Sequence, residues 1–119
     1  MSDATPAREW RFYLDDMLLF CSRIQLFTDG ITQDDFAADI MRFDATVRNI
    51  ELIGEAATHI PEGVRQTAPQ LPWRMMVATR NQLIHGYLGI DNDTLWSIVT
   101  TDVPTLTAAL TALKKQLSP

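Results

Sequence analysis

The stretch FAADIMRFDATVRNIELIGEAATHIPEG, residues 36–63, decides the fold. Phe36, Ile40, Phe43, Val47, Ile50 and Ile53 recur at three- and four-residue steps, the spacing of one helix face rather than the alternation of a strand. Just upstream, in TQDDF, Thr32 offers an oxygen to the first unpaired backbone N–H groups, and acidic residues follow where the helix dipole favours them. At the other end Pro61 cannot continue a helix without losing a bond, and Gly63 tolerates a turn. The pattern predicts one long helix from Thr32 to about His59. Within it, Gly54 with Ala56 and Ala57 forms a narrow face that permits close packing by a neighbouring helix.

The same spacing continues on both sides. Upstream, Trp10, Tyr13, Leu14, Met17, Leu18, Cys21 and Ile24 mark a first helix that ends near Asp29-Gly30. Downstream, residues 64–71 read as a loop or one short helical turn. Pro72 then suits a first helical position, and Trp73, Met76, Val77, Leu83 and Ile84 carry the apolar face of the next helix. Gly86 and Gly89 bracket a break and DNDT supplies capping side chains. Leu95, Trp96, Val99, Leu106, Leu110, Leu113 and Leu117 form a last segment, which Pro104 should kink or divide. Nothing alternates like a strand. The fold class is all-α, a bundle of four to five helices in a single domain over residues 1–119.

Composition narrows the function. A net charge of -5 repels nucleic acid over the molecule as a whole, so any RNA or DNA contact has to come from a local group of arginines. Arg42, Arg48, Arg65 and Arg74 are candidates, but pairing with Asp39, Glu51 or Glu55 on a solvated face is the commoner use of such residues. Cys21 is the only cysteine, which excludes an internal disulfide and suggests a buried thiol in a reducing compartment. With two histidines and one cysteine there is no metal-ligand cluster, so no metal is expected. MSDATPAREW is not a secretory leader, and no apolar run approaches the roughly 20 residues of a membrane span, so a cytoplasmic protein is expected.

The chemistry gathers in ATRNQLIHGYLGI, residues 78–90. Arg80, Leu83, Ile84 and Tyr87 share one face of an ideal helix, whereas His85 is rotated from Arg80 by about 140°. Either the backbone unwinds near Gly86 to bring the two together, or a second copy of the chain completes the site. The pair suits phosphodiester cleavage in RNA. An imidazole can take a proton from a 2′-hydroxyl or give one to the leaving 5′-oxygen, while a guanidinium grips two phosphate oxygens. One histidine cannot easily do both in one step, and a two-fold dimer would supply two. Taken alone, these residues also fit a capping histidine, an arginine reaching a carboxylate and a half-buried tyrosine.

RNQLIHGY resembles the R-x4-H-x-Y motif of the HepT-like toxins, members of the HEPN superfamily of small all-helical RNases. RNIELIGEAA, PEGVRQTAPQLPW and LWSIVTTDVPTLTAAL are similar to that family's pattern over almost the whole chain. The resemblance implies a metal-independent endoribonuclease toxin, a homodimer with a composite site between protomers. Its cognate antitoxin would be a minimal nucleotidyltransferase of the MntA type. By position, Arg80 and His85 would be the catalytic pair, Tyr87 the residue modified by AMP transfer, and Asn81 a supporting polar residue. A noncatalytic helical module that binds the nucleotidyltransferase is the alternative.

Overall fold

The computed structural model describes residues 9–86 and 90–117. Its elements are α1 (Trp10–Thr28), α2 (Gln33–Ala38), α3 (Ile40–Ala57), α4 (Glu62–Gln66), α5 (Trp73–Gly86), α6 (Asn92–Ser97), a π-helical turn (Ile98–Asp102) and α7 (Val103–Leu117). No strand occurs among the described residues, in keeping with the all-α class. α3 is the centre of the bundle. α1 and α5 pack against it, and α7 packs against α1.

The predicted periodicity explains this centre. Val47, Ile50, Ile53, Ala56 and Ala57 of α3 are buried with Leu14, Met17, Cys21 and Ile24 of α1 and Leu106, Leu110 and Leu113 of α7. Burial of the Cys21 thiol pushes its pKa up to about 11, so this cysteine is an inert core residue. Trp73 is buried and its indole N–H donates to the Ala68 carbonyl, while Trp10 and Trp96 lie half-buried against the core.

Three expectations need correction. The long helix predicted from Thr32 breaks at Asp39. That residue leaves the helical region (φ -97°, ψ 94°), its N–H closes α2 on the Asp35 carbonyl, and its side chain accepts from Arg42 N to start α3. One carboxylate thus caps a new helix where periodicity alone implied continuity. Ile40, just past the break, is exposed rather than part of the core. Thr32 does cap α2, in a reciprocal capping box with Asp35. Ile84, placed on the apolar face of α5, is 54% exposed.

The last segment is divided as expected, but upstream of Pro104. The Val103 N–H reaches back five residues to the Ile98 carbonyl, the π-type bond that widens residues 98–102. Pro104 has no N–H to donate, and in a continuous α-helix its ring would strike the Thr100 carbonyl; the π turn separates them and leaves Pro104 in the first turn of α7, where it is tolerated.

Candidate active site

The site is built where α5 crosses α3. At Gly54 the two backbones approach so closely that a Cβ there would lie 2.3 Å from Arg80 Cβ and 2.5 Å from the Met76 carbonyl oxygen. A glycine at this point is what lets the first part of the Arg80 side chain lie across α3. The guanidinium then meets Glu55, the next residue of α3. Nε donates to Glu55 Oε2 at 3.1 Å, Nη2 donates to the same oxygen, and Nη1 donates to Asn81 Oδ1 at 2.5 Å. Every nitrogen of Arg80 is therefore anchored, and the side chain keeps 23% of its surface exposed. Asn81, expected as a supporting polar residue, thus lies in contact with Arg80.

Glu55 holds more than Arg80. Its Oε1 lies 3.6 Å from His59 Nε2, one helical turn along α3. The hydrogen bond from Arg80, partly opposed by desolvation and assisted by His59, holds the Glu55 carboxyl below the usual carboxylate range. The pair therefore stabilises the fold above the ordinary carboxyl pKa of 4.5, and this contribution disappears as pH falls through the lower folded-state value. Because Glu55 is half-exposed the effect is small, under about 1 kcal/mol. Glu55→Gln should melt slightly below wild type at neutral pH, and the gap should close in melting curves taken below pH 4.5. A gap that widened on acidification would contradict the pairing.

His85 stands apart from this anchor. α5 stays helical through Gly86, so no unwinding before residue 86 swings the imidazole toward Arg80. Gly86 ends the helix at φ 154°, a conformation that favours glycine. His85 is exposed, as are Arg74, Ala78 and Asn81. These four positions are spaced i, i+4, i+7 and i+11, which aligns them on the solvent face of α5. Exposed Met75 and Ile84 flank that column on either side. Of the two ways to unite Arg80 with His85 that the sequence left open, local unwinding is thus not seen up to Gly86. Tyr87 lies outside the described residues.

The remaining arginines mostly serve the fold. Arg42 pairs with Asp39 at 3.2 Å and donates to the Phe27 carbonyl. Arg48 pairs with Glu51 at 3.2 Å. Arg65 donates to the carbonyls of Ala57 and Ile60, closing the C-terminal end of α3. Arg74 alone of the four lies exposed on the column with His85. No group of three or more His, Cys, Asp or Glu side chains able to hold a metal forms among the described residues, and no helix there is long and apolar enough to cross a membrane. Glu55 and His59 were missed as site residues from the sequence. Their signal was there: on one helix at i, i+4, beside the Gly54 that admits Arg80.

The ribonuclease HepT-like family profile matches residues 17–113. This chain belongs to that family. A Thermococcus cleftensis protein named "Probable ribonuclease HepT" is 37% identical over 108 residues, covering 91% of this chain and 98% of that one. Two Methanocaldococcus jannaschii proteins that carry RNase names are 38% and 40% identical, covering 83% and 82% of this chain and 82% and 89% of their own. No solved structure matches. The match runs from within α1 to within α7 and includes the whole of α3 and α5, so the HepT-like fold that the resemblance implied holds.

Proposed function

We propose that this HepT-like chain is a metal-independent endoribonuclease, the toxin of a toxin–antitoxin pair, with Arg80 and His85 as its catalytic residues. The observation that carries this reading is the anchored guanidinium of Arg80, held by Glu55 and by Asn81 of the exposed column that ends in His85. A preorganised guanidinium offers fixed N–H donors to a phosphate whose charge grows during cleavage, with little reorganisation at the moment of reaction. The imidazole of His85 moves the proton. Between them they supply the charge stabilisation and proton transfer that 2′-hydroxyl attack on phosphorus requires.

The two side chains face different sides of α5, which supports a site shared between two copies of the chain. A two-fold dimer that brings the α5 faces together would set His85 of one protomer near Arg80 of the other, and would cover exposed Met75 and Ile84. Light scattering on the purified protein should then give twice the chain mass of 13.4 kDa. A monomer at micromolar concentration would remove the shared site.

Control follows from the motif. Tyr87 lies two residues past His85, and AMP transferred to its hydroxyl by a minimal nucleotidyltransferase of the MntA type would bring a phosphate and a base to the guanidinium that the substrate needs. Co-expression with such an enzyme should add one AMP mass that maps to Tyr87 by fragmentation; AMP on another residue, or none, would refute this control. Toxicity itself is tested by induction in a bacterial host. Wild type should arrest growth and His85→Ala, at matched soluble level, should not. Arrest by both would remove His85 from the mechanism.

A further inference from the structure

We propose that His59 is a second catalytic histidine of this chain, donating a proton to the leaving 5′-oxygen while His85 accepts the one released by the 2′-hydroxyl. The proposal rests on the ribonuclease reading of Arg80. Its basis is that one carboxylate serves both side chains: Glu55 Oε2 accepts from Nε and Nη2 of Arg80, and Glu55 Oε1 lies 3.6 Å from His59 Nε2. Arg80 and His59 therefore flank one carboxylate, beside the point where α5 crosses α3.

The ring is fixed rather than free to swing. It lies flat against Tyr13 of α1, centroids 4.3 Å apart and planes within 9°, with its Nε2 edge toward Glu55. Nε2 is thus the ring nitrogen on the Arg80 side, 3.6 Å from Glu55, and the side chain is 46% exposed. The usual task of a histidine at a helix C-terminus is already done by other groups. Arg65 donates to the carbonyls of Ala57 and Ile60, and the Thr58 N–H donates to those of Gly54, Glu55 and Ala56.

The step balances within the RNA and two histidines. The 2′-oxygen forms its bond to phosphorus as its proton passes to the His85 imidazole. The bond from phosphorus to the 5′-oxygen breaks, its electron pair goes to that oxygen, and the proton comes from His59 Nε2. The products are a 2′,3′-cyclic phosphate and a 5′-hydroxyl, with one proton moved from His59 to His85. Solvent restores both. Glu55 is a positioning residue in this scheme, since it acts through Arg80 and His59 without touching the RNA.

A substrate that no longer needs an acid tests the assignment. We would measure cleavage of one RNA with an ordinary linkage and of its counterpart with sulfur in place of the bridging 5′-oxygen, using wild type, His59→Ala and His59→Gln. Circular dichroism and melting would check that each variant is folded, and the glutamine keeps a hydrogen-bonding group if alanine loosens the contact with Tyr13. Both variants should lose about 100-fold in kcat on the ordinary linkage with little change in KM, and most of that loss should vanish on the sulfur linkage, whose leaving group departs unprotonated. An equal loss on both linkages, or no loss in a folded variant, overturns the acid role while leaving the ribonuclease reading intact. A wild type that cuts neither RNA overturns both.

Discussion

Gly54→Val should lower stability by about 3 kcal/mol, or roughly 10 °C in melting temperature for a domain of this size. The added Cβ would stand 2.3 Å from Arg80 Cβ and 2.5 Å from the Met76 carbonyl oxygen. Both are backbone or backbone-adjacent atoms, so no flexible side-chain tip can move aside, and α5 must lift from α3. A glycine inside a helix ordinarily costs about 0.5–1 kcal/mol against alanine, so substitution would stabilise α3 if the site were open. The sign of the measured change therefore decides whether the close approach is real. Moving α5 also pulls Arg80 from Glu55, and RNA cleavage should fall even at temperatures where the variant is folded. A Gly54→Val protein that melts at or above the wild-type temperature would refute the packing on which the position of Arg80 depends.

The second large effect concerns the proposed catalytic pair. Arg80→Ala should cost about 100- to 1,000-fold in cleavage rate through the lost phosphate donors, and His85→Ala about 100- to 10,000-fold through the lost proton transfer. The stability consequences should differ. His85 is exposed, so its removal should leave melting within about 0.5 kcal/mol of wild type, whereas removing Arg80 leaves the Glu55 carboxylate without its main partner. If the site is shared between protomers, mixing the two inactive chains under conditions of subunit exchange should restore a substantial fraction of activity, because one site of each mixed dimer combines an intact Arg80 with an intact His85. Mixtures as inactive as their components would place both residues of each site on one chain.

Much of this architecture could be read from the periodic apolar positions, because helix faces are a local property of sequence. Val47, Ile50 and Ile53 lie in the core as their spacing requires, and Gly54 is the close-packing point that its small neighbours suggested. The break at Asp39 was not legible in that way. It depends on a side chain that caps one helix as another closes, and the apolar positions on either side keep step across it. Pro104 announced an interruption, yet the widening falls in the turn before it, where the carbonyl that the ring would strike has to move. Arg80 and His85 were legible as motif positions, but not the Glu55 carboxylate that anchors one of them. That contact joins residues 25 positions apart and comes from how α5 crosses α3, which no local pattern encodes.

The central claim is that this chain cuts RNA with Arg80 and His85 and without a metal. Purified wild type and His85→Ala would be incubated with a labelled RNA in excess chelator, and the ends of the fragments determined. Wild type should produce internal cuts ending in 2′,3′-cyclic phosphate and 5′-hydroxyl at a rate unaffected by the chelator, and His85→Ala should produce almost none. RNA left whole by the folded protein, or cut equally by both proteins, would contradict the account.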